Sequence, residues 1–182
     1  MPLTAYYEQK DEVISVLDVE NPKSALQADS LRCPACGEDP FIRSPSSRIT
    51  HFCHYPGSGQ ECDLRGESVR HSVAKVRVAR LLREDGEATE TWLERNLTKT
   101  GRRPDVLAKY QGGQLVAHEV QLSRTSPDEL RERTSDFWEN GIDVHWWFGP
   151  KISESTRDWA MQNLGGYAVL EFGERRHNLD VD

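Results

Sequence analysis

From residue 67 onward the sequence predicts an α/β sandwich with a mixed central sheet, in the order helix, three strands, helix, strand. Three observations carry this. An apolar stripe at helical spacing runs through 67–83. A strand, glycine turn and strand pattern spans 103–122. A helix that opens on Ser126 with a full set of start signals leads into an aromatic strand at 142–148. The whole chain divides into an arm or hairpin at 1–31, a Cys-rich module at 32–64, the α/β core at 65–173 and a loose acidic tail at 174–182.

The arm contains two short strand patterns, 4–7 and 13–17, around a polar turn. Residues 32–64 are rich in Cys, Pro, Gly and Ser. Their one hairpin pattern pairs 41–43 with 49–52, which buries too little apolar area to hold a fold, so a metal ion takes the place of a core. In the helix at 67–83, Val69, Val73, Ala74, Val76, Val78 and Leu81 form the apolar stripe, while Glu67, His71 and Lys75 follow at i, i+4 and i+8 on another side. A strand of mixed quality follows at 89–97, and then the hairpin.

The next helix is the best signalled. Ser126 is its N-cap, Pro127 fills the first helical position and Glu129 completes a capping box. Leu130, Thr134, Phe137 and Trp138 are expected to face inward, with Gly141 as terminator. Gly149-Pro150 stops the strand at 142–148, and a helix at 153–163 and a strand at 167–172 complete the core.

Composition narrows the function. The chain has 182 residues, 36% hydrophobic content and a formal net charge of −7. No run approaches the ~20 apolar residues of a membrane span, and no basic stretch followed by an apolar run marks an export signal. A soluble, cytoplasmic protein with no membrane partner is the expectation. The net negative charge argues against a protein that coats nucleic acid, but 70–83 carries five Lys or Arg and no acid. All four cysteines fall within 33–62 and include a Cys-x-x-Cys pair, which without an export signal points to metal rather than disulfides. No Ser/His/Asp triad, Walker loop or dinucleotide fingerprint is present.

The hairpin carries the chemistry. Polar groups within an apolar hairpin are costly to bury unless something binds them. Glu119 and Gln121 share a strand face with Ala117. Whether Asp105 joins them depends on the turn. A two-residue Gly112-Gly113 turn sets Asp105 opposite Val120, on the wrong face. A three-residue loop, 111–113, sets it opposite Glu119, with Gly113 supplying the left-handed residue such loops need. We expect the second. Two carboxylates then meet as oxygen ligands for Mg²⁺ or Mn²⁺, the requirement of a metal-dependent nuclease, with Glu67 as an outer ligand. Taken alone, Pro104-Asp105 reads equally as a turn and Glu119 as a solvated strand residue.

The pattern widens to Cys33-Pro34-x-Cys36-Gly37, His51-Phe52-x-His54, Cys62, Glu67-Ser68-x-x-His71-x-x-x-Lys75, Arg103-x-x-Asp105-Val106, Glu119-Val120-Gln121-x-Ser123, Arg131 to Arg133 and Trp146-Trp147. With this ordered set the chain resembles the competence-protein CoiA-like nucleases of the PD-(D/E)xK superfamily. The resemblance implies a restriction-endonuclease-like core with an N-terminal zinc-binding module, and metal-dependent hydrolysis of DNA phosphodiesters in DNA processing, uptake or recombination. DNA and recombination or DNA-processing proteins would be the partners. It implies Asp105, Glu119 and Glu67 as ligands of the catalytic Mg²⁺ or Mn²⁺, with Gln121, Lys75 and His71 completing the site. Many superfamily members carry Lys where this chain has Gln121, a neutral group that is neither a base nor a cation. Lys75 would supply the charge instead. An alternative is a DNA-binding adaptor that keeps the fold and has lost activity.

Six residues qualify as zinc ligands: Cys33, Cys36, His51, Cys53, His54 and Cys62. Chemistry alone favours the four cysteines. The resemblance places Cys53 at a variable position and implies Cys33, Cys36, His54 and Cys62 for a structural Zn²⁺, with Cys53 or His51 as alternates. For DNA phosphates the expected contacts are Arg103, Arg124 and Arg70. Arg131 and Arg133 read more simply as a solvated helix face.

Overall fold

The computed structural model describes residues 2–46, 49–62, 67–97 and 101–171. These fall into two compact units, divided between Val73 and Ala74. Phe172 and the expected tail at 174–182 lie outside the described residues.

In the first unit, β1 (Thr4–Tyr7) pairs antiparallel with β2 (Glu12–Ser15). After a short helix, α1 (Pro22–Ala25), the strand β3 (Leu31–Arg32) returns to the free side of β1. The expected hairpin is thus the larger part of a three-stranded sheet, order β2-β1-β3. Two residues are too short a strand to show a period, so β3 had no pattern to read. The second hairpin joins β4 (Pro40–Arg43) to β5 (His51–His54), with Ile42 opposite Phe52 in the interior.

Helix α2 spans Val69–Glu84. It starts after Glu67, because the Ser68 side chain caps it by accepting from the His71 N–H at 3.2 Å. Val73, Ala74, Val76, Val78, Ala79 and Leu82 are buried, whereas Leu81 is exposed. The apolar stripe therefore closes on Leu82, not on the Leu81 expected from the sequence.

The second unit is a five-stranded mixed sheet, order β10-β9-β8-β7-β6. It comprises β6 (Ala88–Leu93), β7 (Val106–Tyr110), β8 (Leu115–Gln121), β9 (Asp143–Phe148) and β10 (Ala168–Val169). Strands β6 to β8 are antiparallel neighbours. Strands β8, β9 and β10 run parallel, through crossovers containing α3 (Pro127–Trp138) and α4 (Glu154–Leu164). The α/β architecture with a mixed sheet is the one the element order predicts. The strand expected at 89–97 stops at Leu93 because Glu94 takes a positive φ of 49°, which ends the extended run.

The α3 start forms the full capping box: the Glu129 N–H donates to Ser126 Oγ at 3.2 Å and the Ser126 N–H donates to Glu129 Oε2 at 2.9 Å. Leu130, Thr134 and Phe137 are buried as expected, but Trp138 is 46% exposed. Trp138 lies one residue beyond the inward-facing row on a 3.6-residue turn. Leu130 packs with Trp146, Phe148, Trp159 and Ala160, and Phe137 packs with Leu107, Ala117 and Ile142. Thr134 is buried because its hydroxyl accepts from Trp146 Nε1 at 3.0 Å. Among the described residues, no helix is long and apolar enough to cross a membrane.

Candidate active site and metal centre

The turn between β7 and β8 decides the site. Tyr110 donates its N–H to the Gln114 carbonyl at 2.9 Å, leaving a three-residue turn at Gln111–Gly113 in which Gly112 and Gly113 have φ of 84° and 88°. Such values are strained for residues with a Cβ. The ladder then pairs Lys109 with Leu115 and Val106 with His118, so the next position sets Asp105 against Glu119. This is the register the three-residue loop predicts. The two acids also interlock through the backbone: the Asp105 N–H donates to Glu119 Oε1 at 3.3 Å and the Val120 N–H donates to Asp105 Oδ2 at 2.8 Å.

A third acid joins from β6. Its ladder with β7 begins with Ala88 opposite Tyr110, then shifts by one residue, so that Glu90 faces Lys109 and Leu93 faces Val106. Thr89 occupies the bulge and its hydroxyl donates to the Lys109 carbonyl at 2.9 Å. The Glu94 N–H then donates to the Asp105 carbonyl at 3.1 Å. Glu94, Asp105 and Glu119 therefore stand in a row across three strands. Glu94 was not foreseen, since nothing in the sequence marks a bulge, and one acid at the end of a strand of mixed quality gives no signal.

Two cations meet this row. Lys75, 2% exposed on α2, forms an ion pair with Glu94, also 2% exposed, and its Nζ lies 3.9 Å from Asp105 Oδ1. Arg133 on α3 pairs with Glu119 and donates from Nη1 to Gln121 Oε1 at 3.1 Å. The sequence treats Arg133 as a solvated face. The structure places it in the site instead, because position 133 of α3 lies beside β8. Arg131 does remain on the surface, paired with Asp128. Gln121 also donates to Ser123 Oγ at 2.9 Å.

Burial, and after it the neighbouring Asp105 carboxylate, push the Glu119 carboxyl above the usual range, while the Arg133 guanidinium pulls it back. Two acids pressed together in this way favour a bound cation. The donors are all hard oxygens, which fits Mg²⁺ or Mn²⁺.

The remaining expected residues are placed as follows. In the first unit, Glu67 accepts from Ser72 Oγ at 3.2 Å and lies 3.4 Å from His71 Nδ1, one helical turn away. Arg70 is exposed. In the second unit, Arg124 is exposed and lines a cleft with Gln121, Ser123 and Arg133. Arg103 is half-buried, and its Nη1 is enclosed with no hydrogen bond to the described residues. On β8, the residue preceding Glu119, His118, is 3% exposed and accepts from Trp147 Nε1 at 3.1 Å. Burial, and then His145, lower its imidazole pKa to about 3.

The first unit holds a separate cluster. Cys33, Cys36, His54 and Cys62 bring one ligand atom each to within 4.8 Å of one another. Cys33 Sγ lies 3.7 Å from Cys62 Sγ, and Cys36 Sγ lies 3.2 Å from His54 Nε2. A tetrahedral zinc with bonds of ~2.3 Å has edges of about 3.8 Å, so three thiols and an imidazole at these spacings fit it. None of the four cysteines forms a disulfide. The Cys-Pro-Ala-Cys-Gly turn is closed by the Gly37 N–H donating to the Cys33 carbonyl at 2.9 Å. At Gly59 a Cβ would sit 2.5 Å from the His54 ring, so the imidazole keeps its place only beside a glycine. The alternates His51 and Cys53 lie outside this group. His51 is buried with Nδ1 2.8 Å from the Ile49 carbonyl, and Cys53 stands opposite Phe41 on the hairpin.

The family described as competence protein CoiA, nuclease-like domain, matches residues 67–177, well over half of the chain. No curated protein matches it. Among solved structures, a repair endonuclease from Pyrococcus abyssi aligns at 14% identity and a TM-score of 0.39, covering 61% of this chain and 49% of that one. The chain thus spans about half the length of that endonuclease. An EndoMS–double-stranded DNA complex aligns at 11% identity and a TM-score of 0.39, covering 80% of this chain and 69% of that one.

Proposed function

Because this chain belongs to the family of the competence protein CoiA nuclease-like domain, we propose that it is a divalent-metal-dependent deoxyribonuclease acting in DNA processing, uptake or recombination. The observation that supports this best is the placement of Asp105 opposite Glu119, fixed by the Gln111–Gly113 turn. Asp105 and Glu119 would hold the catalytic Mg²⁺ or Mn²⁺. The ion, when bound, would stabilise negative charge building on the phosphate oxygens. The chain's own groups orient the site: Val120 N–H fixes Asp105, Ser123 steadies Gln121 to position water or substrate, and Arg133 holds Glu119 while no ion is bound. Lys75 is buried against Glu94 and within reach of Asp105, so its role is to balance those acids, not to touch phosphate. His71 steadies Glu67. Arg70, Arg103 and Arg124 would contact DNA. In the first unit, Cys33, Cys36, His54 and Cys62 would hold a structural Zn²⁺, three thiolates and one imidazole closing the site to solvent chemistry.

The second reading is a DNA-binding adaptor that retains the fold. It draws on Gln121, a neutral group where a lysine is often found, and on the burial of Lys75. The test is cleavage of linear, circular and single-stranded DNA with Mg²⁺ or Mn²⁺ by the wild type and Asp105→Ala. Cleavage by the wild type alone supports the nuclease. Two inert proteins that both bind DNA support the adaptor.

A further inference from the structure

Arg133 faces two directions at once. Inward, one guanidinium nitrogen pairs with Glu119 and the other donates to Gln121 Oε1. Its Cζ lies 4.6 Å from the centroid of the Trp146 ring, which is wholly buried and pinned by its bond to Thr134, so the guanidinium rests on a fixed floor. The Arg133 side chain is 31% exposed and that of Glu119 is 5% exposed. Solvent therefore reaches the cation far more readily than the anion it holds.

Outward, Arg133 lines a cleft of about 340 Å³ together with Arg102, Gln121, Ser123 and Arg124. Two acids also line it, and both are engaged. Glu129 accepts from the Ser126 N–H and the Thr125 hydroxyl at the head of α3, and Glu132 lies 3.8 Å from Arg102, which itself pairs with Asp136. The charge open to a ligand comes from Arg124, and from Arg133 when it leaves Glu119, and the Ser123 hydroxyl lies beside it. This is the chemistry of a phosphodiester site.

We propose that Arg133 is an exchangeable cation that couples the metal to the nucleic acid. One guanidinium cannot neutralise Glu119 and a phosphodiester in the cleft equally well. A divalent ion on Glu119 displaces it, and the released guanidinium turns on its Trp146 floor to the phosphodiester. Metal and phosphodiester then strengthen one another's binding by the same factor. Arg133 acts on the metal through Glu119, so it is a positioning residue there. The inference rests on the metal site proposed above.

Calorimetric titration of the zinc-loaded chain with Ca²⁺, with and without a saturating duplex oligonucleotide, tests it. For the wild type the duplex should tighten Ca²⁺ by about tenfold. Arg133→Gln should bind Ca²⁺ about tenfold tighter than wild type without DNA, since a like charge has left the site, and the gain from the duplex should fall to about twofold. A merely structural loss would weaken both. Arg133→Lys keeps the charge and should retain part of the coupling, which serves if Arg133→Gln unfolds. Ca²⁺ affinity in Arg133→Gln no tighter than wild type, or an undiminished duplex effect, overturns the proposal while leaving the metal site standing. Wild type and Asp105→Asn titrating alike, with no Ca²⁺ bound, would overturn both.

Discussion

The Lys75 ammonium is committed to the Glu94 carboxylate, both side chains being almost wholly buried, with Asp105 close by. A buried pair draws its worth from completeness, since either charge left alone has lost its water and its partner. Lys75→Met or Glu94→Gln should each cost about 3–5 kcal/mol in urea unfolding, by the usual penalty for breaking such a pair. Lys75→Met combined with Glu94→Leu should cost clearly less than the sum of the two single changes, because neither member of the pair is left behind alone. Additive losses would show that the two residues act separately.

Asp105 and Glu119 should report a bound cation through stability. Mn²⁺ at about 100 times its dissociation constant should add about 2.7 kcal/mol to unfolding of the wild type. Asp105→Asn should lose most of that gain in thermal melts with and without Mn²⁺. An equal gain in both proteins would place the ion elsewhere.

The thiol and imidazole cluster should carry one zinc per chain, measurable by colorimetric assay after denaturation. Cys62→Ser should abolish it and loosen the segment around Cys33, Cys36 and His54, whose geometry the ion would hold. Cys53→Ser should leave the zinc content at one, as Cys53 stands opposite Phe41 and outside the cluster. The reverse pattern would exchange the ligand set.

His118 sets an acid limit on stability. Its folded pKa lies at about 3, below the ordinary 6.5, because burial disfavours the imidazolium. Between these values the unfolded chain binds the extra proton. The stability His118 contributes is therefore complete above about pH 6.5 and falls as the pH drops towards 3, by up to about 1.4 kcal/mol per unit. His118→Gln keeps an acceptor for the Trp147 indole and should flatten this part of the curve. Urea unfolding of both proteins at pH 7.5, 6 and 5 checks it. Losses from zinc ligands are common to both proteins and cancel in the difference.

Where residue types themselves dictate geometry, the sequence was readable. Ser126, Pro127 and Glu129 announce a helix start by local hydrogen bonding alone, and Gly112-Gly113 restricts the turn enough to choose the register that joins Asp105 to Glu119. The grouping of Cys33, Cys36, His54 and Cys62 was legible only through the family resemblance, since chemistry alone favoured the four cysteines. Residues whose meaning arises only on folding stayed hidden. Arg133 looks like any helix arginine until α3 lies beside β8, and Lys75 seemed available to substrate until Glu94 appeared next to it. Trp138 and Leu81 show the reverse error, in which hydrophobicity suggested burial and the helical rotation put each on the outside.

The single extra residue at Thr89 has a consequence for the buried cation. Without that shift Leu93, not Glu94, would stand beside Asp105, and Lys75 would meet an apolar side chain. A chain paired one step out of phase on β6 would still set Asp105 against Glu119 through β7 and β8, but would face the buried Lys75 with Leu93. The bulge thus works as an interlock: only the shifted register lets the buried lysine find its carboxylate.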